Sequence, residues 1–168
     1  MITTILKPVR RNKQNNVASL LKKLISHLRE QWPDTLIIVR GDSHFTSKDF
    51  MEWCADNPFT GYITGLTGNK KLHGLARVTI DSAEREYKQY GRPVKQCHSF
   101  MYQAGSWGIP QKVVVKVEVS AMGTNVRYVV SKLAKIRAKE LFKGTGLPMQ
   151  HLKPFGKKLL KQQHGSKR

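Results

Sequence analysis

Acidic residues are scarce in this chain. Its 168 residues include 11 Asp and Glu against 30 Lys and Arg, which gives a formal net charge of +19. Such an excess of positive charge predicts a polyanionic partner, and nucleic acid is the usual one. An anionic membrane is a weaker alternative, because no basic amphipathic helix with a large aromatic face is present. A basic protein without a polyanionic partner is the plain alternative, and the charge alone leaves it open.

Cysteine and long apolar runs are also scarce. The only two cysteines, Cys54 and Cys97, lie far apart in the sequence and lack the spacing of a metal site. They are typical of reduced cysteines in a cytosolic protein. No segment has the length needed to cross a bilayer, and the first six residues do not form a signal peptide. We therefore expect one cytoplasmic, nucleoid-associated domain with room for a small insertion and no membrane partner.

Several catalytic motifs are missing as well. The sequence contains no phosphate-cradling glycine loop, no Ser/His/Asp arrangement and no cysteine zinc site. Its six histidines are scattered, and none is paired at helical spacing with another ligand type. Carboxylates are therefore the residues that decide whether the chain carries catalytic chemistry.

One carboxylate stands out. Residues 36–39 are four consecutive apolar side chains, a pattern typical of a strand that is buried on both faces in the middle of a parallel or mixed sheet. Gly41 and Asp42 follow directly, at the end of an open α/β sheet where ligands and metals usually bind. Asp42 is either a catalytic or metal-holding acid or a cap for the next segment, and the residues alone favour neither.

The elements around this strand alternate. Apolar residues at helical spacing predict a helix over residues 17–28, and Thr46 or Ser47 caps a second helix that reaches Asp56. Residues 61–66 predict another strand, and residues 68–71 predict a turn that ends in two lysines. This alternation indicates an α/β layer over residues 1–72.

The character of the chain changes after residue 72. We predict a short charged helix over residues 82–90 and then three strands over residues 97–103, 112–119 and 126–133. A hairpin connection at residues 122–125 joins the last two, so residues 73–133 are expected to form an antiparallel β-rich insertion. Residues 134–168 are expected to hold a helix over 134–142 and a flexible basic tail without acidic residues. Trp107 is the aromatic residue most expected to be exposed for base stacking.

A resemblance to a known family adds to this interpretation. Residues 32–45, with the sequence Trp-Pro-Asp-Thr-Leu-Ile-Ile-Val-Arg-Gly-Asp-Ser-His-Phe, resemble the second-aspartate block of bacterial insertion-sequence transposases of the DDE class, group 1 type. Residues 52–54, 62–66, 116–118 and 125–130, together with Asn69, resemble the continuation of that family. The resemblance spans residues 3–142, and its most specific part is the block around Asp42.

The resemblance implies an RNase H-like core with a β-rich insertion, here a partial one. It also implies Mg²⁺- or Mn²⁺-dependent cleavage and joining of DNA at transposon ends, with two aspartates and a glutamate holding the metal ions. Asp42 matches the second aspartate and is our candidate catalytic and metal-binding residue. The candidate DNA-binding residues are Arg10, Arg11, Lys70, Lys71 and Arg127.

The sequence departs from the family pattern at both ends. No acid occurs before Glu30, although the family's first aspartate belongs on an opening strand, and no Tyr/Arg/Glu/Lys motif follows Phe142. The abrupt change after Lys143 resembles a change of reading frame. We therefore predict an internal transposase fragment that is inactive alone and is prone to self-association, because absent strands leave a sheet edge unpaired. A non-catalytic basic DNA-binding protein and a nuclease completed by a partner chain are the alternatives.

Overall fold

The computed structural model describes residues 17–133, in which three helices pack against one face of a five-stranded sheet. A short 3₁₀ turn, Ser43–Phe45, follows the first strand. The other elements, in chain order, are α1 (Val17–Gln31), β1 (Ile37–Gly41), α2 (Lys48–Asp56), β2 (Thr60–Leu66), α3 (Lys70–Tyr90), β3 (Val94–Tyr102), β4 (Gln111–Ser120) and β5 (Gly123–Ser131). None of the described helices is long and apolar enough to span a membrane.

The first two helices confirm the sequence prediction. Ala18 and Ile25 of α1 are buried in the core, and the helix ends just before Trp32-Pro33, because a proline disfavours helical backbone in the residue before it. In α2 the Ser47 hydroxyl accepts a hydrogen bond from the Phe50 amide at 3.3 Å, which is the predicted cap. The proline at residue 33 and the cap at Ser47 therefore predicted the end of α1 and the start of α2 within a few positions.

The third helix is longer than predicted. Residues 82–90 are helical and the helix ends at Tyr90, as predicted, but the predicted start at residue 82 and the turn at residues 68–71 are wrong, because one 21-residue helix covers Lys70–Tyr90. The Asn69 side chain caps it by accepting from the Leu72 amide at 2.9 Å, and Gly91 ends it at a positive φ of 63°. Gly74 and the β-branched residues 78–80 weaken the local helical signal. Burial of Leu72, Ala76 and Ala83 along one face supplies the packing that overrides them.

The sheet has the strand order β1-β2-β5-β4-β3. β1 and β2 are parallel, and the other neighbouring pairs are antiparallel. The predicted antiparallel block of three strands is therefore confirmed, but the pairing of β2 with β5 joins it to β1 and β2 in one continuous sheet. The predicted domain boundary after residue 72 falls inside α3. The fold is mixed α/β, as expected.

Among residues 17–133, β1 does not take the predicted place in the middle of the sheet, and the predicted strand at residues 3–6 lies outside the described residues. β1 is the outermost strand of the described sheet, and its residues are half-buried except for the exposed Arg40. Val39 packs on the main core while Ile38 belongs to a smaller cluster on the opposite face. A strand that is covered on both faces is apolar whether it lies at the centre or at the edge of a sheet. The apolar residues alone therefore could not predict the position of β1 in the strand order.

The two faces of the sheet differ. The face toward the helices carries the main core, in which Val113, Val115 and Val117 of β4 are fully buried with Tyr62 and Tyr128. The opposite face, called the outer face below, carries the alternate residues of each strand. Its apolar part is the cluster of Ile38, Ile63, Val114, Val129 and Leu133. The predicted strand at residues 3–6, the loop with Arg10 and Arg11, the helix at 134–142 and the basic tail lie outside the described residues.

Neither cysteine takes part in a disulfide, and the two differ in burial. Cys54 is fully buried, and burial raises the pKa of its thiol to about 11, whereas Cys97 is half-buried on β3. Because the thiolate is the reactive form, iodoacetamide at pH 8 is expected to alkylate Cys97 well before Cys54 in the folded protein. Mass spectrometry of the labelled chain measures this order. Equal labelling of both cysteines without denaturant would contradict the described packing.

Candidate functional site

Asp42 lies directly after β1, at the carboxyl end of the parallel strand pair. Its Oδ1 atom accepts a hydrogen bond from the His44 amide at 2.9 Å and lies 3.2 Å from His44 Nδ1. Asp42 is therefore the cap of the Ser43–Phe45 turn, which was one of the two roles left open by the sequence. Its side chain is nevertheless 68% exposed, so the carboxylate remains accessible from solvent. Both roles are compatible in this geometry.

The segment that carries Asp42 is pressed against the neighbouring strand. A Cβ atom added to Gly65 of β2 would lie 3.0 Å from the Ser43 amide nitrogen and 3.3 Å from the Asp42 carbonyl carbon. The Thr46 hydroxyl binds the Gly65 carbonyl at 2.5 Å and the Thr64 hydroxyl at 2.8 Å. Close packing at a glycine and these two hydrogen bonds hold Asp42 at a defined position beside the end of β2.

Three other carboxylates are engaged elsewhere. Asp49 pairs with Lys22 at 2.5 Å, Glu52 lies 3.8 Å from Lys48, and Glu118 lies 3.0 Å from Lys116. The hydrogen bond from Lys116 lowers the pKa of Glu118. Within residues 17–133, no group of three or more His, Cys, Asp or Glu side chains could hold a metal ion. The described residues alone therefore do not fit a two-metal centre, and Asp42 supplies one carboxylate only.

The candidate DNA-binding residues fall in three places. Lys70 and Lys71 are exposed in the first turn of α3, which follows the carboxyl end of β2, so they lie at the same sheet edge as Asp42. The Lys71 ammonium lies 5.7 Å from the centre of the Tyr102 ring. Arg127 is exposed on β5, opposite Lys116 of β4. Arg10 and Arg11 are outside the described residues.

Trp107 does not offer a stacking surface. The sequence predicted exposure, but the side chain is only 9% exposed and meets the Tyr102 ring edge to face at 5.5 Å between ring centres. Its amide donates to the Ala104 carbonyl at 3.0 Å, so the turn at residues 104–107 folds the indole back onto the core. The burial of Trp107 could not be predicted from its glycine-flanked turn, because the direction of the side chain depends on tertiary packing.

Arg29 is a structurally important residue that sequence reasoning missed. Its guanidinium group connects the segments that enter the two parallel strands, at the sheet edge opposite Asp42. It donates hydrogen bonds to the carbonyls of Trp32, Pro33, Thr35, Pro58 and Phe59 and to the Thr60 hydroxyl. Phe59 has a positive φ of 56°, and its carbonyl also accepts from the Ile37 amide at 2.8 Å. The only sequence signal was a basic residue in the last turn of α1.

Comparison with known proteins identifies the family of the chain. Residues 1–145 match the family described as "Transposase DDE domain group 1". A search of curated proteins and a search of solved structures gave no match. The match covers most of the chain and includes β1, Asp42 and the whole described sheet. The chain therefore belongs to the group 1 transposase DDE domain family.

Proposed function

We propose that this chain is a catalytically incomplete part of a DNA transposase and that Asp42 is one of its catalytic acids. The observation that carries the proposal is the exposed Asp42 carboxylate at the carboxyl end of two parallel strands, inside the segment that matches the family. Ligands of open α/β sheets bind at that end of the strands. Cleavage and joining of transposon ends is the reaction that the family membership supports, and association with the nucleoid would follow from it.

The metal requirement explains why activity is not expected from these residues alone. Two-metal phosphoryl transfer needs several carboxylates that hold both ions against the attacking and leaving oxygens. Among the described residues Asp42 has no second carboxylate beside it that completes such a group. The remaining acids of the site therefore have to come from outside residues 17–133 or from another chain. Mg²⁺ or Mn²⁺ bound by Asp42 alone is expected to be weakly held.

A strand-cleavage assay tests this proposal. The purified chain, incubated with Mg²⁺ or Mn²⁺ and supercoiled plasmid or transposon-end duplex, is expected to give no more nicked product than the Asp42→Asn variant. Binding to the same DNA is expected and should fall steeply with salt, because the chain carries a net charge of +19. Robust cleavage that Asp42→Asn abolishes would show a complete nuclease and overturn the incompleteness proposed here. Binding that is equal for all DNA sequences, with no preference for transposon ends, and that is unchanged in Asp42→Asn would favour the non-catalytic alternative.

Self-association is a further part of the proposal. β1 pairs with β2 on one side, and no strand among residues 17–133 pairs with its other edge. An open strand edge is a template for pairing with another chain. We expect sedimentation velocity at rising protein concentration to show dimers or larger species. A strictly monomeric species with a cooperative thermal transition at ordinary temperature would contradict this expectation.

A further inference from the structure

The three antiparallel strands extend beyond the sheet edge where Asp42 lies. β2 ends at Leu66, which is opposite Tyr128, so residues 123–127 of β5 lie past the end of β2. Their partners on β4 are residues 116–120, and residues 94–97 of β3 continue the same rows. Five residues of strand correspond to about 17 Å. We call this three-stranded extension the overhang.

The two faces of the overhang have different chemistry. Its valines point to the helix face, and on that face the Thr124 hydroxyl donates to Glu84 of α3 at 2.8 Å. Alternation therefore gives the outer face a polar set, which consists of Lys95, Cys97, Lys116, Glu118, Asn125 and Arg127. Three cations and one carboxylate leave this face with a formal charge of +2.

The charged groups on this face are arranged across neighbouring strands. Lys95 and Lys116 lie 3.5 Å and 3.0 Å from the Glu118 carboxylate, and Arg127 is paired in register with Lys116. The Lys95 side chain is 70% exposed and Arg127 is exposed, whereas Lys116 is 19% exposed. Glu118 holds the two ammonium groups near each other but leaves the outer cations accessible. The result is a basic strip that runs across three neighbouring strands.

Asp42 shares this face and this edge. Arg40 of β1 lies on the outer face, and Gly41 follows on the helix face. Because the backbone of Asp42 is still extended, alternation places Asp42 on the outer face again. The register places Asp42 level with Gly65 of β2 and Val129 of β5. Arg127 therefore lies two strands away from Asp42 and two residues further along the sheet. Strand spacings of about 5 Å and a rise of about 3.3 Å per residue put the two Cα atoms about 12 Å apart. That separation spans about four base-pair steps of duplex DNA.

We propose that the outer face of the overhang, with Lys95, Lys116 and Arg127, is a surface that binds the phosphate backbone of duplex DNA and leads it toward Asp42. An open strip of cations suits a long polyanion, because successive phosphates can contact successive side chains. The Arg127 guanidinium can engage a phosphate through two parallel hydrogen bonds, and the lysines act as point charges. The part of the proposal in which the DNA reaches Asp42 rests on the proposed function. The binding of the DNA phosphate backbone by this surface does not.

The salt dependence of DNA binding tests this surface. The double variant Lys95→Gln/Arg127→Gln is expected to lower the slope of log affinity against log salt by about 2, because each lost phosphate contact removes about 0.9. Between 50 and 200 mM salt, the wild-type protein should therefore lose about tenfold more affinity than the variant does. Fluorescence anisotropy with labelled duplexes of unrelated sequence measures the slopes. The loss should be the same for every sequence, because phosphate contacts carry no sequence information.

A matched variant controls for net charge. Arg85→Gln/Lys88→Gln removes the same two charges from exposed positions on α3, which covers the helix face. Its slope is expected to stay close to that of the wild-type protein. An equal reduction by both double variants, or an unchanged slope for Lys95→Gln/Arg127→Gln, would overturn the proposed surface. Circular dichroism verifies that each variant is folded, and Arg127→Lys, which keeps the charge, should retain the wild-type slope.

The result of the salt-dependence test can be distinguished from the result of the cleavage assay that tests the proposed function. Asp42→Asn removes a negative charge beside the strip, so it should not reduce the salt slope if the overhang binds DNA. A slope that follows Lys95 and Arg127 supports the surface even if Asp42 proves to have no catalytic role. A slope that depends on neither residue overturns the surface and leaves the role of Asp42 to the cleavage assay.

Discussion

Arg29→Met is expected to lower the free energy of unfolding by about 3 kcal/mol, because a charged donor that satisfies several backbone carbonyls is lost with its hydrogen bonds. The guanidinium group binds carbonyls from the segments that precede β1 and β2, including Thr35 at 2.7 Å and Phe59 at 3.0 Å. One of these acceptors, the Phe59 carbonyl, belongs to a residue with a positive φ of 56°. Chemical denaturation monitored by circular dichroism measures the change.

A matched arginine provides the control for this prediction. Arg77 is 75% exposed on α3, and it forms an exposed ion pair with Asp81 at 3.0 Å. Arg77→Met is therefore expected to change stability by no more than about 0.5 kcal/mol. Arg29→Lys should recover little of the loss, since an ammonium group cannot reproduce the planar fork of donors. Similar stability of the Arg29 and Arg77 variants would contradict the role assigned to Arg29.

Gly65→Ala and Gly74→Ala are expected to act in opposite directions. The new Cβ at Gly65 would lie 3.0 Å from the Ser43 amide nitrogen and 3.4 Å from the Asp42 Cα, and both are backbone atoms that cannot rotate away. We expect a loss of about 1–3 kcal/mol as the segment shifts. At Gly74, in the exposed interior of α3, a Cβ meets nothing within 4 Å. Alanine there should stabilise the helix by about 1 kcal/mol.

The two glycine variants also separate stability from the position of Asp42. Amide chemical shifts of residues 42–46 should change in Gly65→Ala and stay unchanged in Gly74→Ala, because only Gly65 touches that segment. Thermal unfolding and a two-dimensional amide spectrum give both readouts from the same samples. Stabilisation by Gly65→Ala, or unchanged amides around Asp42 in that variant, would show that the close packing described here is wrong.

Local signals in the sequence predicted the elements that depend on local chemistry. The α1 and α2 boundaries followed from capping residues and prolines, and the antiparallel pairing of β4 with β5 followed from the turn residues near Gly123. The α3 helix was underestimated because its long-range packing through Leu72 and Ala76 outweighs its weak propensity. The position of β1 at the edge of the described sheet depends on pairing between distant segments, which a single sequence does not reveal.

The candidate site shows the same division. Asp42 was identified because an acid directly after a strand lies at the end of an α/β sheet where ligands bind. The basic strip on the overhang was not found, although Arg127 was named, because the strip exists only once the register aligns Arg127 with Lys116 and Glu118 with Lys95. Arg29 was missed because its partners are backbone carbonyls, which carry no side-chain signal.

The most direct test of the role assigned to Asp42 is a Mn²⁺ titration followed by amide signals in the NMR spectrum. Paramagnetic Mn²⁺ broadens signals near its binding site, and we predict weak, selective broadening of residues 41–46 that disappears in Asp42→Asn. Asp49→Asn is the control, because Asp49 is already paired with Lys22 at 2.5 Å. Broadening that persists in Asp42→Asn, or that is centred on another carboxylate, would contradict the assignment of Asp42 as the acid that meets the metal.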